Sequence, residues 1–124
     1  MARKKKYIPK SFESKKLDVS ASIYCSMIQS KAWENLTNNS RVLYLYMKLQ
    51  YYGQKTISDR DQECFYFNKA MWKTTYKLYS NQNQFYKDRD LLIENGFIEI
   101  EQHGKNTRTK IIYRFSDKWQ QITN

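Results

Sequence analysis

Between Thr37 and Gly53 the chain reads TNNSRVLYLYMKLQYYG, the clearest helical pattern it contains. Val42, Leu45, Tyr46 and Leu49 fall at i, i+3, i+4 and i+7, the spacing of one apolar helix face, and Gly53 closes the run. Upstream, Ile23, Met27, Ile28, Ala32 and Trp33 predict a short helix that ends before Leu36. Downstream, Ser58–Glu63 is polar and loop-like, and Phe65, Tyr66 and Phe67 form a short strand pattern. Asn68 is placed to cap a helix over Lys69–Tyr76, with Ala70, Met71 and Tyr76 turned inward. After a turn over Lys77–Tyr79, Ser80 is the expected cap of a further helix with Phe85, Leu92 and Ile93 toward the core. Gly96 stands where a helix needs a left-handed residue just past its end. Phe97, Ile98 and Ile100 then begin a strand, Ile111, Ile112, Tyr113 and Phe115 return as a second, and Gly104 makes the turn between them possible. A last short helix is expected at Asp117–Gln121, capped by Ser116.

The order is therefore helix, short strand, helix, turn, helix, strand, polar tip, strand. That is an α+β chain in winged helix-turn-helix order: helices, a β-hairpin wing, a short third strand and a short C-terminal helix. Residues 19–124 form the expected domain, and residues 1–18 an expected flexible basic arm whose apolar anchors are Tyr7, Ile8 and Phe12. With 124 residues, the chain is long enough to bury a core without staples.

Charge narrows the class of partner. The net charge is +10, from 22 Lys+Arg against 12 Asp+Glu. An excess of this size favours a polyanion, because neutralised phosphates release counterions. Within residues 1–18, Arg3, Lys4, Lys5, Lys6, Lys10, Lys15 and Lys16 stand against Glu13 and Asp18, so the arm holds half of the net charge. Cys25 and Cys64 match no zinc spacing and suit a reducing compartment. No apolar run is long enough to cross a bilayer, and the basic start lacks the apolar core of a signal peptide. The expectation is a cytoplasmic protein with no membrane partner.

Candidate contacts follow from the order of elements. In a helix-turn-helix the second helix enters the major groove by its first turns. That exposes the segment Asn81, Gln82, Asn83, Gln84 and Lys87, whose amides pair two-pronged with adenine and whose lysine reaches guanine or phosphate. Asp88, Asp90 and Glu94 make the second half of this helix acidic, and Asp88–Arg89 occupies a place where an apolar residue is usual. Asn68, Lys69 and Lys73 on the preceding helix are expected over phosphates. His103, Lys105, Asn106, Arg108 and Lys110 surround the hairpin tip, which fits a narrow minor groove, with Arg108 the leading residue. The cluster Arg3, Lys4, Lys5 and Lys6 extends the same electrostatic footprint.

Catalytic chemistry has little to stand on. His103 is the only histidine, so no His-based triad is available. Asp59, Asp61 and Glu63 lack the glycine and ligand layout of a calcium loop. Neither a phosphate-binding Gly loop nor a nucleophile elbow is present. No enzyme, metal or cofactor is expected.

The stretches WENLTNNSRVLYLYMKLQYYG, CFYFNKAM, NQFYKDRDLLIENGFIEI and YRFSDKW resemble winged-helix domains of replication-initiator-like proteins. These occur on plasmids, phages and conjugative elements of low-G+C Gram-positive bacteria. The resemblance spans about residues 20–120, and its most specific pieces are Leu36-Thr37-x-x-x-Arg41-x-Leu43-Tyr44 and Leu92-Ile93-x-x-Gly96-Phe97-Ile98. It implies a sequence-preferring binder of double-stranded, A+T-rich DNA, acting as a homodimer among other nucleoprotein-complex proteins. Initiators of this type carry further domains, so at this length an accessory or regulatory role is expected: a relaxosome accessory at a transfer origin, or control of replication or transcription. The alternative is a protein-interaction module that keeps the fold without binding DNA, with Tyr44, Tyr51, Tyr52 and Tyr79 as its surface. RNA binding is the weaker rival, since neither an aromatic sheet motif nor a GXXG loop occurs.

Overall fold

Two single-turn helices open the described chain where the spacing predicts one longer helix. The computed structural model describes residues 22–53, 63–102 and 111–123. Helix α1 is Cys25–Ile28 and α2 is Lys31–Glu34. Ser30 makes the break between them: its Oγ donates to the Met27 carbonyl (2.6 Å) and accepts from the Trp33 amide (3.2 Å). One hydroxyl thus ends the first turn and caps the second, which favours the break over a continuous helix. Ile28 consequently faces solvent, while Met27 and Ala32 remain in the core.

Helix α3 runs Asn38–Gly53, started by Thr37, whose Oγ1 accepts from the Ser40 amide (3.2 Å). Its buried residues are Ser40, Leu43, Tyr44 and Met47. They repeat the i, i+3, i+4, i+7 spacing of the expected set, but from another origin. Val42, Leu45 and Leu49 are exposed and Tyr46 is half-buried. Periodicity alone could not choose, because the helix is apolar on two sides. Ser40 disguises the inner one: it is fully buried, with its hydroxyl donated to the Thr37 carbonyl (2.8 Å).

Strand β1 (Cys64–Tyr66) is followed by a six-residue π-helix, Ala70–Thr75, and then α4, Gln82–Glu94. Strands β2 (Ile98–Gln102) and β3 (Ile112–Phe115) lead to a 3-10 helix, Lys118–Gln121. The sheet is antiparallel in the order β1-β3-β2, so the last strand is central. Phe65 lies opposite Tyr113 and Ile98 opposite Phe115, with a register shift between Ile100 and Gln102. The chain is therefore mixed helix and strand, as expected, and no described helix is long and apolar enough to cross a membrane.

The core is built largely of rings. Phe65 stacks on Phe115 (4.4 Å) and Tyr113 (5.7 Å), and Tyr44 meets Phe97 edge-on (5.3 Å). Trp72 stacks on Phe85 (5.2 Å) and so fastens the π-helix to α4. Such pairs add about 0.5–1.5 kcal/mol each beyond the area they bury.

The α4–β2 junction is tightly specified. The Gly96 amide donates to the Ile93 carbonyl (3.1 Å) and the Phe97 amide to the Leu92 carbonyl (3.0 Å), the paired bonds of a Schellman end. Gly96 has φ 77, the left-handed conformation its position predicts. A Cβ there would lie 2.5 Å from the Trp119 nitrogen and 2.6 Å from the Lys118 carbonyl carbon. The 3-10 helix presses on this turn through the Trp119 amide, which donates to the Gly96 carbonyl (3.0 Å), and through Trp119 stacked on Phe97. Asp117, not Ser116, stands at the cap position of this 3-10 helix, and Ser116 Oγ accepts from the Lys118 amide (3.2 Å) from one residue further back.

Candidate nucleic-acid interface

Asn68 opens the π-helix as predicted: its Oδ1 accepts from the Met71 amide (3.2 Å). The widened i→i+5 turn, closed by the Tyr76 amide on the Met71 carbonyl (2.9 Å), carries Trp72 into the core. Ala70, expected inward, is exposed; Met71 and Tyr76 are half-buried. A pattern read at 3.6 residues per turn misplaces these side chains, because a π-turn holds more residues. Lys69 and Lys73 are both exposed.

The turn to α4 contains Lys77 at φ 53, a left-handed residue that is not glycine. That conformation costs about 1–2 kcal/mol for a residue with a Cβ. Leu78 and Tyr79 amides both donate to the Trp72 carbonyl (2.8 and 3.2 Å), and these bonds hold the turn closed.

Asn81, not Ser80, caps α4: its Oδ1 accepts from the Asn83 amide at 2.7 Å. The cap shift of one residue removes Asn81 from the residues free to reach outward. Gln82 donates its amide to the Tyr86 hydroxyl (2.9 Å). Gln84 leans the other way, into a cleft of about 260 Å³ with Asn39, Val42, Leu78 and Ser80. At 100° per residue, with Phe85, Asp88 and Leu92 buried, the outward meridian of α4 is Asn83, Lys87, Asp90 and Glu94. Asn83 and Lys87 are therefore the two predicted residues that stand farthest out.

The Asp88–Arg89 pair is explained by its partners. Asp88 is buried and accepts from the Tyr79 hydroxyl at 2.6 Å. Burial, and then this bond, push the Tyr79 phenol well above its usual range. Arg89 lies over the Tyr86 ring (4.5 Å), pairs with Asp90 (3.0 Å) and donates to the Tyr113 hydroxyl (3.4 Å). Burial alone would lower the guanidinium; Tyr113 and Asp90 together hold it above its ordinary value. The acid repulsion expected from the second half of α4 is thereby reduced, since Asp88 faces inward and Asp90 is paired.

Charge pairing then separates the cations of the molecule. Lys31 pairs with Glu34, Arg114 with Glu63 and Glu101, and Lys118 with Glu99. Among the described residues, Lys69, Lys73, Lys77 and Lys87 have no ion-pair partner, and all four are exposed. They belong to a continuous stretch, Cys64–Lys87, that contains no Asp or Glu. That acid-free run is legible in the sequence, but the turn that exposes Lys77, a residue outside the predicted set, is not.

The expected tyrosine surface does not exist as a set. Tyr44 is 2 % exposed, Tyr79 is bound to Asp88, and Tyr51 is half-buried between Tyr52 and Phe115. Of these four, Tyr52 is the exposed one. A cleft of about 790 Å³ lies beside Tyr24, Tyr44, Lys48, Arg114 and Trp119. Burial pushes the Tyr44 phenol up and the Lys48 ammonium down, and Lys48 sits over the Tyr44 and Phe115 rings (5.5 and 4.8 Å). Among the described residues no three His, Cys, Asp or Glu gather as metal ligands. Cys64 is buried and Cys25 exposed, both as free thiols.

Arg3, Lys4, Lys5, Lys6, His103, Lys105, Asn106, Arg108 and Lys110 lie outside the described residues, as does the hairpin tip. Comparison with known proteins gave no match: no family model, no curated protein and no solved structure is significantly similar to this chain.

Proposed function

We propose that this chain is a winged helix-turn-helix domain that binds double-stranded DNA, with A+T-rich duplex as its preferred target. The observation that carries the reading is the acid-free stretch Cys64–Lys87 with its four exposed, unpaired lysines. Elsewhere the described Lys and Arg side chains are largely paired or packed, so the unneutralised charge is concentrated on the two helices and their turn. The order helix, strand, helix, turn, helix, strand, strand and the sheet order β1-β3-β2 support the winged-helix reading.

In this mode Asn83 and Lys87 face base edges, Lys69 and Lys73 neutralise phosphates, and the wing and basic arm add further contacts. Gln82 and Gln84 serve the flanks of the groove. A role as an accessory or regulatory factor of a mobile element rests on the resemblance of the Leu36–Tyr44 and Leu92–Ile98 segments. The exposed apolar side of α3 favours a second reading, an interaction module. Retardation of an A+T-rich duplex by the full chain at low salt separates the two. A shift lost as salt rises supports DNA binding, and no shift at low salt refutes it.

A further inference from the structure

Two side chains of α3 bring hydrogen-bond donors to one cleft, and the fold gives neither an acceptor. Tyr44 is 2 % exposed, and among the described residues its hydroxyl has no hydrogen-bond partner. Burial first, and then the nearby Tyr52 and Tyr24 phenols, keep that hydroxyl protonated and able to donate. Lys48, one helical turn further on, is half-buried over the Tyr44 and Phe115 rings (5.5 and 4.8 Å). The rings attract its charge but give its three N–H donors no lone pair. Among the described residues no carboxylate pairs with it. Buried donors left unmade cost stability, so a fold that keeps two of them side by side calls for a reason.

Both side chains line the cleft of about 790 Å³, a volume within the roughly 300–1,000 Å³ of small-molecule sites. Its other charges are answered or peripheral. Glu63 pairs with Arg114 (3.4 Å), Glu99 with Lys118 (3.3 Å), and Asp117 is exposed at the cap of the 3-10 helix. Of the three cations that line the cleft, Lys48 is therefore the one with no carboxylate against it. A single negative charge answers it; a dianion would also face Glu63, Glu99 and Asp117. Tyr24, with 61 % of its surface open, gives the cleft an aromatic wall.

We propose that this cleft binds a small organic monocarboxylate, whose oxygens accept from the Lys48 ammonium and the Tyr44 hydroxyl while a planar apolar body lies against Tyr24. One oxyanion then supplies the acceptor that both donors lack, and the rings beneath Lys48 hold its ammonium in place beforehand. No residue of the acid-free stretch Cys64–Lys87 lines the cleft. The site is therefore separate from the candidate nucleic-acid interface, and it is tested without nucleic acid.

The test is a titration of the full chain with cinnamate, a planar aryl monocarboxylate, followed by amide chemical shifts in NMR. Cinnamate should bind with a Kd of about 1 mM or tighter, ordinary for so small a ligand, and should move the amides of Phe115–Trp119. Cinnamyl alcohol keeps the shape without the charge and should bind at least about tenfold more weakly. Lys48→Met and Tyr44→Phe should each weaken cinnamate at least about tenfold. Both variants should melt no lower than wild type, because each removes a donor that the fold leaves unmade. Three results overturn the proposal: no saturable binding below about 10 mM, alcohol that binds as well as acid, or a variant that loses stability. Binding that Lys48→Met leaves unchanged also overturns it, as anion uptake elsewhere on a chain of net charge +10. Phenyl phosphate that binds more tightly than cinnamate overturns the single charge.

Discussion

Replacing Tyr79 by phenylalanine removes one hydroxyl and tests what seats α4. The Tyr79 hydroxyl donates at 2.6 Å to Asp88, which is 5 % exposed. The ring itself remains, edge-on to Trp72 (6.1 Å) and Phe85 (5.8 Å). A hydrogen bond to a charged acceptor is worth about 1.5–3 kcal/mol, and a carboxylate left buried without its donor puts the loss near the upper end. We expect Tyr79→Phe to lose about 2–3 kcal/mol, a large part of the ~5–15 kcal/mol typical of a domain. Its Tm should fall by about 6–15 °C, taking roughly 3–5 °C per kcal/mol at this chain length. Asp88→Leu removes the buried charge together with the need for the donor, so Tyr79→Phe should cost little in that background. Urea unfolding followed by far-UV circular dichroism and tryptophan fluorescence gives the cycle, with a predicted coupling of about 2 kcal/mol. A loss under about 0.5 kcal/mol for Tyr79→Phe, or strict additivity with Asp88→Leu, would refute the reasoning.

Three further outcomes follow from the geometry. Gly96→Ala should cost at least about 3 kcal/mol in urea unfolding, because a Cβ at φ 77 would meet the backbone of Lys118 and Trp119. Lys77→Gly should gain about 0.5–1 kcal/mol by the same measurement, since glycine holds φ 53 without strain even after its greater unfolded-state entropy is counted. Tyr44 and Tyr79 are held above the phenol value of about 10 they have when unfolded, so their contribution is complete below that pH and is lost as pH rises beyond it. The part of the tyrosinate absorbance that belongs to Tyr44 and Tyr79, two of the 11 tyrosines, should therefore appear only with loss of ellipticity above about pH 10, and a titration of all 11 completed before unfolding would contradict this.

Local punctuation made much of the fold legible. Gly96 announced its own left-handed turn, Asn68 accepted the Met71 amide where a cap was expected, and the apolar runs after Gly96 and Lys110 became the paired strands Ile98–Gln102 and Ile112–Phe115. What failed was the choice of face. Apolar residues on both sides of α3 left its orientation undetermined until the sheet and α4 selected Leu43, Tyr44 and Met47. The π-turn rotated Trp72 inward in place of Ala70, which no 3.6-residue pattern anticipates. At the candidate interface, residue types were readable but directions were not. Asn81 became a cap, Gln82 met Tyr86, and Asp88 turned inward, because short polar side chains near a helix start bond to whatever is nearest.

The salt dependence of binding tests the central claim most directly. Affinity of the full chain for an A+T-rich duplex should fall steeply as salt is raised, in a straight line of log affinity against log salt. Each phosphate neutralised adds about 0.9 to the slope, so Lys69→Ala/Lys73→Ala should flatten it by up to about 1.8. Both lysines are exposed and unpaired among the described residues, so the double variant should fold as wild type does. A slope that flattens in this way supports the interface; binding that ignores salt, or a slope the double variant leaves unchanged, contradicts it.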